Sequence, residues 1–165
     1  MIGSQNHLKE FIIMEYVSAG YKYESKDYYF REITMNGVAS LPNQSFCDLN
    51  QICKSGAKMV GIYDGDEKIK GFGVIRKKGE TGDYCYVTNC DYYLQDLFIY
   101  PEYRRQGLIS EFLKFIMQNK GVYRLVVRSN NNSAIKCYKK MGYIEIGKKY
   151  GLRIYKDLFI PKFKL

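Results

Sequence analysis

The hydrophobic positions of the first hundred residues fall in short runs separated by polar turns. Runs at 59–63 and 69–75 flank an Asp-Gly turn at 64–68, a pattern that predicts a β-hairpin. The run at 93–100 predicts a strand that ends at Pro101, because proline cannot donate a ladder hydrogen bond. The other elements predicted in this half are strands at 28–35 and 84–87 and a helix at 45–55.

The second half carries the helical patterns. An apolar stripe begins at Leu108 and repeats at helical spacing through Met117, which predicts an amphipathic helix. A polar break at 129–133 supplies capping residues for a second helix at 134–141, which Gly142 stops. The strands predicted around these helices lie at 124–128, 143–146 and 152–158, the last two joined by a turn over 147–151.

Residues 1–27 give no single prediction. Leu8, Phe11 and Ile12 fit one face of a short helix, whereas the apolar run at 11–14 fits a strand equally well. We therefore treat 1–27 as an N-terminal segment of uncertain structure and 28–165 as the main part of one compact domain. The order of the strands and helices predicts a mixed α/β fold, with helices packed on a single sheet.

The composition is that of a globular protein, with 46% hydrophobic and 26% charged residues among 165. No apolar run approaches the ~20 residues of a membrane-spanning helix, and the first residues lack a secretion-signal pattern. We therefore expect a cytoplasmic protein without a membrane partner. Five cysteines in no paired spacing and one histidine favour reduced thiols over a disulfide framework or a metal site.

The net charge of +9 bears on possible partners. A basic surface attracts phosphate-rich molecules, whether nucleic acid or a phosphorylated cofactor. The basic residues are dispersed along the chain, however, so the charge fits a solvated surface equally well. Nucleic acid is therefore a possible partner that the charge alone does not favour.

The turn between the strand at 93–100 and the first long helix has the features of an anion site. Gly107 directly precedes the helix, whose first N–H groups lack intrahelical acceptors, and the helix dipole adds partial positive charge there. Arg104 and Arg105 add full charges in a planar form that suits phosphate. The turn predicts a diphosphate site, although an ordinary solvated connection has the same pattern.

Two segments together resemble the signature segments of GNAT superfamily N-acetyltransferases. The first is Arg104-x-x-Gly107, after a strand that ends at Pro101; the second is Asn131-x-x-Ala134-x-x-x-Tyr138-x-x-x-Gly142-Tyr143. The resemblance covers residues 59–158 well and 1–58 loosely. It implies a single GNAT-like domain with a central, mostly antiparallel twisted sheet and helices on both faces.

The resemblance also implies acetyl-CoA as co-substrate, with no metal. The pantetheine arm would lie along the strand as an extra strand would, and the diphosphate would lie on the N–H groups of the turn. The cofactor-binding residues implied in this way are Leu97, Phe98, Ile99, Arg104, Arg105, Gln106, Gly107, Leu108, Ile109, Ser110 and Asn131.

Two catalytic roles follow from the same resemblance. Tyr138 would donate a proton or a hydrogen bond to the departing thiolate, and Asp96, or a water chain, would take the proton of the amine. Each residue also has a structural interpretation. Tyr138 shares a helix face with core residues, Asp96 could pair with a nearby lysine or arginine, and Asn131 could simply cap its helix.

Two positions depart from family patterns. Ile109 stands where the family usually has glycine or alanine; its N–H group remains compatible with a first helical turn, so we expect binding to persist in weaker form. The strand around Asp96 resembles that of polyamine acetyltransferases, in which two neighbouring acids face the amine. Gln95 replaces one of those acids, which counts against a polycationic substrate.

The sequence thus predicts an acetyl-CoA-dependent N-acetyltransferase that acts on a primary amine of a small molecule or peptide, by direct attack in a ternary complex. Three alternatives remain: an acetyl-CoA sensor without turnover, a nucleic-acid-associated acetyltransferase acting on aminoacyl-tRNA or a basic protein, and a plain nucleic-acid-binding module. A homodimer is possible, since dimers are common among soluble proteins.

Overall fold

A computed structural model describes residues 9–25, 27–34, 56–78 and 89–151 of the chain. Its strands are β1 (Lys9–Ser18), β2 (Tyr29–Ile33), β3 (Lys58–Tyr63), β4 (Ile69–Lys77), β5 (Tyr92–Ile99), β6 (Gly121–Arg128) and β7 (Ile144–Gly151). They form one seven-stranded sheet in the order β2-β3-β4-β5-β6-β1-β7. All neighbours pair antiparallel except β5 and β6, which are parallel. The predicted mixed, mostly antiparallel sheet is therefore confirmed.

The ambiguous N-terminal run is a strand inside this sheet. β1 lies between β6 and β7, and Phe11, Ile12, Ile13 and Met14 are all at most 8% exposed. A strand that is covered on both faces has a continuous apolar run rather than alternating residues. This burial explains why the apolar residues at 11–14 showed neither a clear helical spacing nor the alternation of a half-buried strand.

The turn predicted over 147–151 is wrong, because β7 continues through these residues to Gly151. β1 pairs with it from Glu15 opposite Ile144 to Lys9 opposite Gly151, with one register shift between Ile13 and Met14. Pairing with β1 therefore outweighs the tendency of the two glycines to favour a turn. The predicted strand at 152–158 lies outside the described residues, as do the predicted helix at 45–55 and strand at 84–87.

The two described helices are α1 (Leu108–Ile116) and α2 (Asn132–Lys140). They share a hydrophobic core with one face of the sheet, in which Phe112 is fully buried. A Cβ on Gly73 of β4 would overlap the Phe112 ring, so glycine there lets α1 approach the sheet closely. This close packing places the start of α1 next to the end of β5.

No helix among the described residues is long and apolar enough to cross a bilayer. Within the same ranges, no three histidine, cysteine, aspartate or glutamate side chains are grouped so as to hold a metal ion. The two described cysteines, Cys90 and Cys137, form no disulfide.

Candidate active site

β5 and β6 are paired only at one end. Their last pair is Leu94 opposite Leu125. Beyond Leu94, β5 stays paired with β4 as far as Ile99, whereas its other edge has no strand partner among the described residues. The residues expected to hold the pantetheine arm, Leu97 to Ile99, lie along this open edge, where an extended chain could add to the sheet.

A bulge at Gln95 marks the point where the pairing of β5 and β6 ends. The register between β4 and β5 shifts there, which leaves Gln95 without a residue opposite it. Its side-chain oxygen accepts a hydrogen bond from Nε of Arg76, and Arg76 is fully buried. A buried positive charge therefore lies beside the residue that precedes Asp96.

The chain leaves β5 through a short 3-10 turn, Pro101–Tyr103. Arg104 then points back toward the strand: its Nε donates a hydrogen bond to the Ile99 carbonyl oxygen at 2.8 Å. Its guanidinium carbon lies 5.4 Å from the centroid of the Phe98 ring, within the range of a cation–π contact. Arg104 thus fastens the turn to β5 in addition to contributing positive charge.

Two residues of the turn have left-handed backbone conformations. Arg105 has φ 64° and Gly107 has φ 77°. A Cβ on Gly107 would meet no heavy atom within 4 Å, so glycine is favoured there by conformation and not by lack of space. These conformations turn the chain sharply just before α1 begins.

The N-terminus of α1 presents N–H groups that lack acceptors within the helix. Gly107 is the N-cap, and the Glu111 N–H donates to its carbonyl oxygen at 3.1 Å. The N–H groups of Leu108, Ile109 and Ser110 therefore have no acceptor in the helix, and the glycine N-cap has no side chain to cap them. The N–H group of Ile109 is therefore available to a ligand, although the family usually has glycine or alanine at this position.

A cavity of about 460 Å³ joins the open edge of β5, the turn and the starts of both helices. All the residues predicted to bind cofactor line it except Gln106, whose side-chain nitrogen donates to the Glu102 carbonyl oxygen at 3.5 Å. The lining residues are Leu97, Phe98, Ile99, Tyr103, Arg104, Arg105, Gly107, Leu108, Ile109, Ser110, Asn131, Ser133, Ala134 and Cys137. The two predicted catalytic residues, Asp96 and Tyr138, are not among them.

Asn131 has the capping role that its sequence position allowed, and it also borders the cavity. Its Oδ1 accepts a hydrogen bond from the Ala134 N–H at 3.3 Å, which caps α2. Asn131 also lines the cavity. Because the cap uses only Oδ1, the side-chain NH2 group remains as a donor toward a ligand.

Tyr138 is a buried residue of α2, 8% exposed, and its ring centroid lies 5.9 Å from that of Tyr143. Burial raises the pKa of its hydroxyl, and the nearby Cys137 and Asp96 raise that pKa further. The hydroxyl therefore keeps its proton at neutral pH. A protonated hydroxyl close to the Asp96 carboxylate can donate a hydrogen bond to a group that becomes negative during a reaction.

The sequence pattern did not single out every residue that lines the cavity. Cys137 follows Ala134 at helical spacing, so the same helix face would have indicated it; its Sγ lies 3.9 Å from Oγ of Ser110 on α1. Ser133 lies in the first turn of α2, beside its cap. Tyr103 has no sequence signal, because only the 3-10 turn places it at the cavity.

Comparison with known proteins bears on what this arrangement can do. Residues 20–143 match the model of the acetyltransferase (GNAT) family. That range includes β5, the turn and both described helices. The thialysine N-epsilon-acetyltransferase of Sus scrofa is 36% identical over 64 residues, which cover 36% of this chain and 38% of that protein.

Solved structures show the same fold. The GCN5-related N-acetyltransferase from Sphaerobacter thermophilus aligns with a TM-score of 0.59 and 11% identity, over 90% of this chain and 53% of that one. A conserved protein of unknown function from Staphylococcus epidermidis aligns with a TM-score of 0.62 and 17% identity, over 87% of this chain and 60% of that one. The chain spans less than two thirds of the length of each of these three proteins.

Proposed function

The chain belongs to the GNAT family of acetyltransferases, and on that basis we propose that it transfers an acetyl group from acetyl-CoA to a primary amine by direct attack in a ternary complex. One observation carries the proposal. The open edge of β5 and the unpaired N–H groups at the start of α1 line a single cavity. A molecule with an extended amide-bearing arm and a diphosphate can use both surfaces at once.

Each part of the cavity has a role in holding the cofactor. Leu97 to Ile99 pair with the pantetheine arm through their main-chain groups. The side-chain NH2 of Asn131 donates to a carbonyl of the same arm. The diphosphate lies on the N–H groups from Arg105 to Ser110, where the helix dipole and the guanidinium groups add positive charge.

In the chemical step, the amine nitrogen attacks the carbonyl carbon of the thioester; a C–N bond forms, the C–S bond breaks and a thiolate leaves. A main-chain N–H of β5 stabilises the negative charge that develops on the carbonyl oxygen. Tyr138 donates a hydrogen bond to the thiolate. Full proton transfer is not required, since a thiol with a pKa of about 8.5 is a stronger acid than a buried tyrosine.

The amine must lose a proton before it can attack. A lysine-type amine has a pKa of about 10.4 and is protonated at neutral pH. Asp96 takes this proton, directly or through a water chain. Its position one residue beyond the bulge supports this role, because it lies where the pairing of β5 with β6 has ended.

The acceptor we propose has one terminal amine on a flexible carbon chain. The name of the porcine relative places its acetyl group on the epsilon nitrogen of thialysine, which is such an amine. A polyamine fits less well. Gln95 stands where a second acid would be needed, and its side-chain oxygen accepts a hydrogen bond from the buried Arg76, so Gln95 supplies no second negative charge for a polyamine.

A thermal-shift measurement followed by an amine panel tests the proposal. We expect acetyl-CoA to raise the Tm, with a stabilisation of roughly 2.7 kcal/mol at a hundredfold excess over Kd, and ATP at equal concentration to raise it far less. The panel contains lysine, thialysine, spermidine and a peptide with a free N-terminus, scored by release of free thiol. We expect release with the first two to exceed that with spermidine.

The same measurements separate the alternatives. Absence of any acetyl-CoA shift would overturn the proposal. A shift without thiol release from any amine would favour a sensor, and steeply salt-dependent RNA binding would favour a nucleic-acid-associated enzyme. An equal response to ATP and acetyl-CoA would indicate a general effect of the net charge of +9.

A further inference from the structure

Lys70 of β4 is a buried lysine that the proposed reaction does not use. It is 3% exposed, and its Nζ lies 2.8 Å from Oδ2 of Asp66 and 3.5 Å from Oδ1 of Asp64. Both carboxylates belong to the turn between β3 and β4. A buried ammonium needs such partners, because a charge removed from water without compensation is costly.

The same ammonium contacts the turn that leads to α1. Its Nζ lies 4.2 Å from the centroid of the Tyr103 ring, which is a close cation–π contact. Tyr103 ends the 3-10 turn and lines the cavity. The main chain joins the same elements, since the Lys70 carbonyl oxygen accepts a hydrogen bond from the Tyr100 N–H at 3.0 Å.

The charge on Lys70 is permanent under ordinary conditions. Burial alone would lower the pKa of this lysine, but the hydrogen bond to Asp66 and the charges of Asp64 and Asp66 outweigh burial, so the pKa is raised. The hydrogen bond from Lys70 in turn holds the pKa of Asp66 below its usual range. The contact with Tyr103 is therefore constant and does not switch with pH near neutrality.

We propose that Lys70 is a positioning residue for acetyl-CoA: by holding Tyr103, it keeps the segment 101–107 in the conformation that directs its N–H groups toward the diphosphate. This inference depends on the proposed function. Lys70 acts through Tyr103 and does not itself line the cavity, so its loss weakens the hold on the diphosphate and leaves the chemical step unchanged. Acetyl-pantetheine has no diphosphate and should therefore be insensitive to Lys70.

The test compares Lys70→Met with wild type on acetyl-CoA and on acetyl-pantetheine. Methionine keeps an unbranched apolar side chain, one atom shorter, and removes the charge. We expect the KM for acetyl-CoA to rise on the order of tenfold, since small misplacements of binding groups have large effects, with kcat little changed. The kcat/KM for acetyl-pantetheine should stay at the wild-type value.

Four further variants make the comparison specific. Lys70→Arg should restore most of the affinity, because a guanidinium keeps the charge and also stacks on aromatic rings. Lys68→Met alters an exposed lysine of the same turn and should have no effect. Tyr103→Leu should raise the KM for acetyl-CoA as Lys70→Met does, and the double variant should be little worse than either, because the two residues act in series.

The inference is overturned if Lys70→Met leaves the KM for acetyl-CoA unchanged. It is also overturned if the variant impairs the use of acetyl-CoA and acetyl-pantetheine equally, which would indicate a general loss of structure.

Should Lys70→Met not fold, Asp66→Asn replaces it. We expect a smaller rise in the KM for acetyl-CoA with this variant, and an unchanged KM would contradict the inference. If the wild type binds acetyl-CoA without turnover, Kd values for CoA and pantetheine serve instead. A wild type that does not bind acetyl-CoA overturns the proposed function, and this inference with it.

Discussion

Asp96 on β5 and Tyr138 on α2 lie close enough for the carboxylate to raise the pKa of the buried hydroxyl. Burial has already raised that pKa, so Tyr138 stays protonated throughout the pH range of an acyl-transfer assay. Asp96 is one residue past the bulge at which β5 leaves β6. We therefore expect replacement of Tyr138 to lower the turnover rate, and replacement of Asp96 to change the pH dependence of that rate.

Replacing Tyr138 by phenylalanine removes the hydroxyl and keeps the ring that packs in the core. We expect turnover to fall roughly tenfold or more, at the low end of the effect of one proton or hydrogen-bond donor, while acetyl-CoA affinity changes little. Steady-state kinetics with an amine that the panel identifies measures both. Unchanged turnover would remove Tyr138 from the mechanism.

Tyr143→Phe is the matched control for that variant. Its ring packs against Tyr138, and its hydroxyl is buried without a hydrogen-bond partner among the described residues. Removing this hydroxyl should therefore leave turnover unchanged and should not lower the Tm. A comparable loss of activity in both variants would indicate altered packing of the tyrosine pair.

Asp96→Asn tests the route by which the amine loses its proton. If Asp96 is the base, the variant should lose most of its rate and the acid limb of the rate–pH profile should change, because the carboxylate that accepts the proton is gone. The profile of kcat/KM against pH with a single amine is the measurement. An unchanged profile would favour a water chain.

Gly107→Ala tests the left-handed conformation at the start of α1. An L-residue at this φ costs roughly 1–2 kcal/mol, so we expect a lower Tm and a Kd for CoA raised roughly five- to thirtyfold. Gly65→Ala is the control, since a Cβ there also meets open space and its φ is not left-handed. Equal effects of the two substitutions would mean that the conformation of Gly107 is not required.

Substitutions of Asn131 separate its capping role from its role toward a ligand. Asn131→Ala should cost about 1 kcal/mol of stability, because α2 loses its cap. Asn131→Asp keeps the capping oxygen and loses the NH2 donor, so it should retain the Tm but weaken acetyl-CoA binding. Wild-type affinity in both variants would leave capping as the sole function of Asn131.

The buried Lys149 of β7 should make the free energy of unfolding depend on pH. It is 2% exposed, and burial, with a smaller contribution from Arg124, lowers its pKa to about 8. Below that pH the folded protein holds a desolvated ammonium that water solvates in the unfolded chain, at a cost on the order of 3 kcal/mol. The cost declines between pH 8 and about 10.4, where only the unfolded chain stays protonated.

Lys149→Met should therefore raise the Tm most at about pH 7, and this gain should shrink as the pH rises through the window from 8 to about 10.4. Lys148→Met serves as a control, because that side chain is 54% exposed on the same strand. Thermal unfolding of the three proteins at several pH values gives the comparison. A gain that grew with pH would contradict the assignment.

The local sequence patterns correctly predicted the elements that are formed by residues close together in the sequence. The hairpin of β3 and β4, the strand before Pro101 and the stripe of α1 all follow from spacing alone. The end of β7 did not, because β1 supplies a partner that the glycines at 147 and 151 do not reveal. Tertiary pairing overrode local turn preference there.

The lining of the cavity was predictable in most of its residues and not in its shape. The predicted cofactor-binding residues make up ten of the fourteen residues that line the cavity, whereas the predicted catalytic residues Asp96 and Tyr138 do not line it. β5 has an open edge because its pairing with β6 ends at Leu94. The sequence of β5 alone does not show where this pairing ends. The contact between Lys70 and Tyr103 is equally non-local, and neither residue belongs to a motif.

The position of β1 has a consequence for the order in which the molecule assembles. Among the described residues, β7 joins the sheet only through β1, so β7 cannot become part of the sheet before this much earlier segment does. Pairing between such distant segments is slow, because loop-closure entropy is lost before contacts form. We expect β7 to be the last strand to gain protection during refolding, after the hairpin of β3 and β4.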